Sequence, residues 1–330
     1  MTLEKIDIKT YSKEWNSFIK SNLTLDVNNY FIAHNPCLAK IYENVFNYKS
    51  EYYLIVEKDK IVGLLPGFRI KEKFISVPIF PSAGIFINKR NNKLNIYNKL
   101  INQLGDYEIR DIIKFSKYIY DKKIICYLPL KENEDLQWEI LRASVRNQIR
   151  KAHKNGLYVK YGGKELLDDF YKIYSFNMHR LGSPVIDKKF FINLIDNYEN
   201  GIAKIFLCYY GNTPVGGSFV LSYFNLLEVG WASIINDYNK LKPNMVLYWE
   251  MIKFAIENEM KYFSFGRATK GSGSYKFKLQ WGIIELPIFF NYSNYTFDIR
   301  RLKILNFIWS KLPLGLANKL GPSIRKWIKI

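Results

Sequence analysis

Two segments of this 330-residue chain both read as a β-hairpin. The first is YYLIVEKDKIVGLLPGF, with its turn at 57–60, and the second is KIFLCYYGNTPVGGSFVLSY, with its turn at 211–213. In each, β-branched and aromatic residues lie on both sides of a short polar turn, which is typical of a hairpin. A constant offset aligns three pairs of residues between them: Leu54 with Leu207, Val62 with Val215, and Gly63 with Gly216. The sequence therefore predicts that one structural unit occurs twice.

The surroundings of the two hairpins support a tandem duplication. Helix-like spacing precedes the first hairpin at 13–21 and 36–49, and another strand follows each hairpin, at 74–79 and 226–235. A tandem duplication is therefore the better interpretation. We divide the chain into a first domain, a second domain and a C-terminal tail: 1–135, 136–300 and 301–330.

The segment WEILRASVRNQIRKAHKNG, between the two hairpins, has the clearest helical pattern in the chain. One apolar stripe and one neighbouring basic row follow the helical repeat. The stripe is Leu141, Val145, Ile149 and Ala152, and the row is Arg142, Arg146, Arg150 and Lys154. No acidic residue balances this row between Leu141 and Lys164. The row is either a solvated helix face or a surface for an anionic partner, because like charges in sequence repel one another.

Two further helices are predicted, at about 164–181 and at 244–259. Arg180, at the end of the first, either points into a cleft or binds the last carbonyls of its own helix. Pro243 suits the first turn of the second helix. Carboxylates near the second unit include Glu228, but no spacing marks any of them as a general base.

The chain carries 49 Lys and Arg against 30 Asp and Glu, a formal net charge of +19. Such an excess suits nucleic acid, anionic lipid or a phosphorylated substrate, although a generally basic proteome would also produce it. Three distant cysteines without a CxxC pair argue against a disulfide framework and a zinc site. The three histidines lack partners at ligand spacing, so we expect no metal. His34 reads as a turn residue.

No signal peptide and no apolar run long enough to span a bilayer is present in the sequence. We therefore expect a cytoplasmic protein, or one that lies on the inner surface of the cell membrane. The tail from Arg301 to Ile330 has seven Lys or Arg and no Asp or Glu, interleaved with Trp and Leu. This pattern suits short amphipathic helices on an anionic membrane, and it equally suits helices packed on the domain with their basic side in water.

The stretch FSFGRATKGSGSYKFKLQWG, residues 263–282, reads as a short strand followed by a Gly- and Ser-rich loop. Such a loop brings backbone N–H groups close to an anion, and four basic residues supply countercharge: Arg267, Lys270, Lys276 and Lys278. It is therefore either a phosphate site or a flexible loop with solvated lysines. The Walker A and GxGxxG nucleotide fingerprints are both absent from the sequence.

Four segments, taken in order, carry a family resemblance: LRASVRNQIRKAHKNGL, MHRLGSPV, FGRATKGSGSYKFKLQWG and WSKLPLGLANKLGPSIRKWI. Together they resemble the FemAB/FemX family of peptidoglycan-bridge aminoacyltransferases. More narrowly, they are similar to the FemAB-related proteins of exopolysaccharide and exosortase systems. The resemblance covers most of the chain, including the HNP and IVGLLPGF segments of the first domain.

The resemblance implies an α/β (α+β) fold of two tandem GNAT-like domains, each a mixed sheet flanked by helices. It also implies transfer of an aminoacyl or acyl group to an amine on a lipid-linked or nucleotide-linked precursor of the cell envelope. The Phe277-Lys278 pair matches the family's F-K motif, in which the lysine faces the substrate's phosphates. Substrate-binding positions are then expected at Arg267, Ser274, Tyr275, Phe277 and Trp281, with the basic residues Arg146, Arg150 and Arg180 added from the helices.

Two departures from the family pattern bear on the donor. The chain lacks the coiled-coil insertion of some Fem proteins, which puts their mode of tRNA binding in doubt. The segment LKPNMVLYW also lacks the glycine-rich pyrophosphate loop of CoA-dependent enzymes, so we expect aminoacyl-tRNA as the donor and no firmly implied cofactor. The alternatives are an acyl-CoA-dependent N-acyltransferase acting on an amino sugar and a non-catalytic protein that binds RNA or the envelope.

Overall fold

The computed structural model describes residues 1–23, 31–88, 91–295 and 303–328. The chain forms two compact units, and each combines several chain segments. Unit 1 comprises Met1–Tyr127, Phe265–Lys276 and Ile284–Phe297, and unit 2 comprises Leu128–Ser264, Phe277–Ile283 and Asp298–Ile330. The predicted domains 1–135 and 136–300 divide the chain differently, and their boundaries stay a prediction. Residues 300 and 301, at the second of these boundaries, lie outside the described residues.

The described residues of unit 1 include three α-helices and ten strands. Its helices are α1 (Ile8–Asn22), α2 (Leu38–Phe46) and α3 (Lys93–Leu100). Its strands are β1 (Thr2–Ile6), β2 (Lys49–Ser50), β3 (Tyr52–Glu57), β4 (Lys60–Leu65), β5 (Phe68–Ile70), β6 (Lys73–Ile75), β7 (Phe86–Ile87), β8 (Asp106–Asp111), β9 (Tyr118–Pro129) and β15 (Ile284–Tyr292). The last two residues of β9 belong to unit 2.

The strands of unit 1 form one antiparallel group in the order β1-β3-β4-β7 and another in the order β9-β15-β8-β6-β5-β2. In the second group, β6 and β8 are parallel and the other neighbours are antiparallel. A core of buried side chains from α3, β3, β4, β6 and β8 includes Ile55, Leu65, Phe74, Ile96 and Ile109. Burial of this apolar surface stabilises the unit.

Unit 2 contains the remaining elements, including α9 and β14, each of which begins in one unit and ends in the other. Its helices are α4 (Glu134–Ile140), α5 (Ala143–Lys154), α6 (Leu167–Arg180), α7 (Lys188–Asn197), α8 (Pro243–Glu257), α9 (Gly273–Leu279), α10 (Lys303–Lys311) and α11 (Leu314–Ile328). Its strands are β10 (Leu157–Gly162), β11 (Ala203–Tyr210), β12 (Thr213–Tyr223), β13 (Leu226–Ile234) and β14 (Tyr262–Thr269).

The sheet of unit 2 has the order β10-β11-β12-β13-β14. The strands β10 to β13 pair with one another in antiparallel fashion, whereas β14 pairs with β13 in parallel, so the sheet is mixed. Aromatic rings from α6, α7 and the sheet meet in the core. The centre of the Phe191 ring lies 5.2 Å from the centre of the Phe170 ring and 5.1 Å from that of the Trp231 ring. Both units thus combine sheets with helices, which confirms the predicted α/β fold.

Strand register confirms the predicted duplication of the hairpin. In β3 and β4, Ile55 pairs with Gly63, and the register then shifts by one residue before Val56. In β11 and β12, Cys208 pairs with Gly216, and the register again shifts before the next residue. The offset that aligns Gly63 with Gly216 therefore also aligns the two β-bulges. A bulge inserts one unpaired residue and bends its strand, so the two hairpins share a specific geometry.

The long basic helix of the sequence is divided in the structure. Instead of one helix through WEILRASVRNQIRKAHKNG, α4 ends at Ile140 and α5 begins at Ala143. Leu141 and Arg142 between them are extended, with ψ of 141° at both. Leu141 is nevertheless buried, so its apolar side chain fits the stripe without being helical. The predicted row of arginines therefore begins at Arg146, because Arg142 precedes the helix.

The other predicted elements are found with shifted ends. Helix 13–21 extends back to Ile8 because Asp7 caps it, accepting a hydrogen bond from the Lys9 N–H at 3.1 Å. The helix predicted at 36–49 is shorter, since Asn47 adopts a left-handed conformation and ends it. The strand predicted at 74–79 is only β6. Pro243 is the first residue of α8, as predicted.

His34 ends a short 3₁₀ turn, as predicted, and is fully buried. Its Nδ1 accepts a hydrogen bond from the Phe31 N–H at 3.1 Å, and its Nε2 lies 2.8 Å from Gly84 O. The pKa of His34 is lowered from 6.5 to about 4, mainly by burial and to a lesser extent by the charge of Lys93. The neutral ring therefore belongs to the folded state.

We expect unit 1 to lose stability in acid through His34. The unfolded state binds a proton on His34 below pH 6.5, and the folded state binds it only below about pH 4. The stabilisation that the neutral ring contributes is therefore complete above pH 6.5 and is lost as the pH falls through 4. The free energy of unfolding should fall by about 3 kcal/mol through this group. Urea unfolding at pH 7 and pH 4 of the native chain and of His34→Gln measures it. Equal losses in both proteins would contradict the assignment.

Candidate functional site

The strands β13 and β14 of unit 2 bring a carboxylate and a hydroxyl together in the interior. Their parallel pairing within the unit runs from Leu226 opposite Tyr262 to Glu228 opposite Ser264. Ser264 Oγ donates a hydrogen bond to Glu228 Oε2 at 3.0 Å, and both residues are buried. A buried carboxylate is costly unless it is held by hydrogen bonds, and such groups are frequent at functional sites.

The segment after β14 corrects the predicted loop. Residues 273–279 form the short helix α9 instead of an irregular loop. Ser272 Oγ accepts a hydrogen bond from the Tyr275 N–H at 3.2 Å, as a helix N-cap does. Gly282 follows the helix with φ of 78°, a left-handed conformation that glycine adopts without strain. Lys276 and Lys278 are therefore held on a helix, where consecutive positions face different environments.

Lys278 is the buried residue of α9, with only 6% of its surface exposed. Lysine is seldom buried to this extent in folded proteins. Lys276, on the same helix, is exposed. The two lysines thus differ sharply in environment although they are two positions apart, and the buried one is the lysine of the F-K motif.

Aromatic side chains surround this part of unit 2. The Phe277 ring lies 5.0 Å from the Tyr248 ring of α8 and 6.1 Å from the Trp281 ring. Trp281 is buried, and its backbone N–H donates to Lys278 O at 3.1 Å. Lys278 is therefore part of an ordered segment that ring packing fixes in place, with α8 as the support.

The predicted basic row on α5 is partly engaged within unit 2. Arg146 Nη1 donates to Glu139 O at 3.3 Å, and the Arg150 guanidinium lies 5.4 Å from the centre of the Trp138 ring. Arg150 is exposed and Arg146 half-buried. Gln148 Nε2, also on α5, donates a hydrogen bond at 3.4 Å to Gln280 Oε1, in the segment that follows α9. This contact connects the basic helix to the segment that carries Lys278.

Arg180 is exposed at the end of α6. Its Nη2 donates to Asn177 Oδ1 at 2.8 Å, and Asn177 in turn bonds to Ser233 on β13. The side chain is thus anchored to its own helix through a side-chain amide.

Three predicted site residues belong to unit 1. Arg267, on β14, is half-buried with its guanidinium 5.9 Å from the centre of the Phe290 ring. Ser274 is exposed near the start of α9. The Tyr275 hydroxyl donates to Glu285 at 2.7 Å, and this hydrogen bond raises the pKa of Tyr275, so the phenol stays protonated. Lys270 lies 3.8 Å from the same carboxylate.

Within the described ranges, no group of three or more His, Cys, Asp and Glu side chains is placed to hold a metal ion. In those same ranges, no helix is both long enough and apolar enough to cross a membrane.

Residues 141–279 match the family model of the acetyltransferase (GNAT) domain. The segment contains the basic helix, the sheet of unit 2 up to β14, and α9 with Lys278. No curated protein matches the sequence.

Solved structures extend the likeness to most of the chain. FemX superposes with a TM-score of 0.62 at 15% identity, covering 92% of this chain and 100% of its own. L-PGS from Bacillus licheniformis has a TM-score of 0.54 at 9% identity, with 91% and 96% covered. A GNAT-family acetyltransferase from Colwellia psychrerythraea has a TM-score of 0.52 at 10% identity, with 89% and 100% covered. Identities this low show a shared fold. Residues 141–279 therefore match a GNAT acetyltransferase domain, the fold of the chain is similar to that of FemX, and the domain match supports an acyltransferase.

Proposed function

We propose that the protein transfers an aminoacyl or acyl group to an amine of a phosphorylated precursor of the cell envelope. The observation that carries this proposal is the burial of Lys278 on α9, inside the matched GNAT domain and beside the packed rings of Phe277 and Trp281. A buried ammonium is stabilised by an anion, and its interaction with a phosphate is stronger there than in water. Lys278 is thus our candidate for holding the acceptor's phosphate.

The proposed reaction is direct acyl transfer. The acceptor nitrogen attacks the donor's carbonyl carbon, a C–N bond forms, and the C–O bond to the donor's ribose breaks. The nitrogen loses a proton and the leaving ribose oxygen gains one, so no redox partner is needed. Lys278 would position the acceptor for this attack. For proton removal our candidate is Glu228, because its carboxylate is buried and is held in place by the Ser264 hydroxyl.

Aminoacyl-tRNA is the donor we propose. The exposed Arg150 and the neighbouring basic positions of α5 offer countercharge to a phosphate backbone. At the start of α8, the left-handed Lys242 and Pro243 stand in place of a glycine-rich loop, and Pro243 has no N–H to donate to a pyrophosphate. Both observations favour a tRNA ester over a CoA thioester.

The donor is tested by incubating the protein with one acceptor and, separately, with aminoacyl-tRNA and acyl-CoA. We expect the tRNA ester alone to be consumed and the acceptor to gain the mass of one aminoacyl residue. Consumption of acyl-CoA alone would assign the protein to N-acylation of an amino sugar. Binding of uncharged RNA without turnover of either donor would indicate a non-catalytic binding protein and contradict the proposal.

Charge reversal on α5 should weaken tRNA binding. In Arg150→Glu and Lys154→Glu, two exposed countercharges are lost, and the slope of log K against log salt should become shallower by about 1 for each phosphate contact removed. Filter binding at several salt concentrations between about 50 and 200 mM measures this slope. Lys189→Glu, on exposed α7 surface, is the matched control and should keep the native slope. A native slope in the α5 variants would exclude this surface.

We also propose that the protein acts at the inner face of the cell membrane, where lipid-linked envelope precursors are exposed to the cytoplasm. Support comes from the basic tail, which has seven Lys or Arg and no acidic residue. The helices formed by this tail present a more specific surface.

A further inference from the structure

We infer that the outward face of α10, continued by α11, docks on the surface of an anionic lipid bilayer. This inference rests on the proposed function only for its location at the membrane, and its test needs neither donor nor acceptor. The occupant we commit to is a bilayer rich in acidic phospholipid headgroups. Three properties of unit 2 support it: the exposure of apolar side chains, the packing of another side of the same helices, and the charge around both.

The exposed face of α10 is apolar. Ile304, Phe307 and Ile308 are 60%, 59% and 53% exposed, although each has a side chain that normally lies in a core. Their spacing of three and four residues places them on one side of the helix. On α11, Leu316 and Leu320 repeat this pattern at a spacing of four and are also exposed. An apolar strip of this kind is typical of an interaction surface.

A different side of these helices already packs on unit 2. Ala317 is buried, and a side-chain carbon added at Gly321 would lie 2.8 Å from Val185 Cγ2. His179 Nε2, on α6, lies 2.7 Å from Leu312 O in the turn between α10 and α11. The tail is therefore attached to its own unit by one side. The exposed apolar residues are on another side, so the unit's own core does not account for them.

The end of α6 continues the apolar strip. Gly182 lies so close to the backbone of Asn306 on α10 that an added side-chain carbon would be 2.1 Å from the Asn306 carbonyl oxygen. Leu181, directly before this contact, is 51% exposed. Arg180 is exposed beside it. Apolar and basic groups from two different chain segments thus meet at the same place.

Charge decides between a bilayer and another protein surface. From Arg301 to Ile330 the sequence has seven basic residues and no acidic one. Lys311 Nζ lies 5.5 Å from the centre of the Phe307 ring, so an ammonium group borders the apolar strip directly. Helices that lie on a membrane insert their apolar side chains at the boundary between headgroups and acyl chains, while their lysines contact acidic headgroups. Acidic phospholipids match both parts of this face.

Vesicle co-sedimentation of the full chain tests the inference. We expect binding to vesicles of phosphatidylglycerol and phosphatidylcholine, weaker binding to pure phosphatidylcholine, and release by salt. The triple variant Ile304→Ser, Phe307→Ser and Ile308→Ser should bind acidic vesicles on the order of 100-fold more weakly. Lys311→Glu should reduce binding to acidic vesicles only. The matched control is Leu136→Ser with Ile140→Ser, because both residues are exposed on α4.

Native-like binding by the triple variant, or no preference of the native chain for acidic vesicles, would overturn the inference. A native dimer that the triple variant converts to a monomer, with no vesicle binding, would assign the face to a second copy of the chain instead. Transfer to a water-soluble acceptor should stay unchanged in the triple variant. Loss of that transfer in Lys278 variants with intact vesicle binding, or the reverse, separates the two proposals.

Discussion

Replacing Lys278 by methionine is expected to lower kcat/KM for transfer to the phosphorylated acceptor by on the order of 100-fold. The reason is that a charge-assisted hydrogen bond to an anion in a buried setting contributes about 3 kcal/mol. Methionine fills a similar volume without the charge, so the surrounding rings of Phe277 and Trp281 keep their contacts. Steady-state kinetics with a fixed donor measures the change.

Lys276→Met is the matched control, because this lysine is on the same helix but exposed. It should leave kcat/KM within about twofold, as expected of a surface position. Lys278→Arg should retain part of the activity, since the charge is kept but its position shifts. The melting temperature of Lys278→Met is measured alongside, so that a loss of transfer is distinguished from a loss of folded protein. Equal kcat/KM in Lys278→Met and the native protein would exclude Lys278 from acceptor binding.

Asp111→Ala is expected to destabilise unit 1 by about 3 to 5 kcal/mol. Asp111 is fully buried, and its carboxylate lies 3.3 Å from Lys93 Nζ and accepts a hydrogen bond from the Tyr97 hydroxyl at 2.6 Å. It also accepts from the Ile112 N–H at 2.6 Å. The substitution removes the carboxylate while the Lys93 ammonium stays in the interior, and a buried charge without this countercharge is costly.

Urea unfolding followed by circular dichroism measures this loss. Asp121→Ala, at an exposed position of β9 in the same unit, is the control and should change stability by less than about 0.5 kcal/mol. The double variant Asp111→Leu with Lys93→Met should recover much of the loss, because it removes both charges together. A loss below about 1 kcal/mol in Asp111→Ala would show that the pair contributes little.

The repeated hairpin is the part of the fold that the sequence predicted best. The offset that aligns Val62 with Val215 also aligns two β-bulges, so a weak similarity in sequence corresponds to a shared backbone irregularity. The division of the basic helix could not be read from the pattern. Leu141 continues the apolar stripe and is buried. The spacing of apolar residues predicts which side chains are buried, but it does not show that the backbone is extended at Leu141.

The helix α9 was missed because glycine and serine dominate the segment before Lys278. The signal that could have found it is Ser272, a good N-cap three residues before Tyr275. Packing of Phe277 against Tyr248 then stabilises a helix too short to form alone. The burial of Lys278 depends on this tertiary packing, so only the resemblance to the F-K motif, and no local helical pattern, distinguishes it from exposed Lys276.

Glu228 illustrates a different limit of the sequence. In the strand LLEVGWASI, no spacing marks this carboxylate as functional. The strand lies inside the mixed sheet, with β12 on one side and β14 on the other, and Ser264 supplies the hydrogen bond that burial requires. That partner is far away in sequence, and only the fold brings it to Glu228.

The tail shows why two interpretations of one pattern can both describe part of the structure. One face of α10 and α11 packs on α6, as expected for helices docked on the domain. The other face exposes Ile304, Phe307 and Ile308, where the packed interpretation expected basic side chains in water. Amphipathic spacing alone does not say how many sides of a helix are covered.

The most direct test of the proposed acyl transfer is mass spectrometry of one phosphorylated envelope precursor with its amine free and, in a parallel reaction, acetylated. With aminoacyl-tRNA as donor, the free amine should gain the mass of one aminoacyl residue, and the blocked amine should gain nothing. The product should be absent, or reduced by on the order of 100-fold, with Lys278→Met. Modification of the blocked precursor, or none of the free one with any aminoacyl-tRNA or acyl-CoA, would contradict the proposed function.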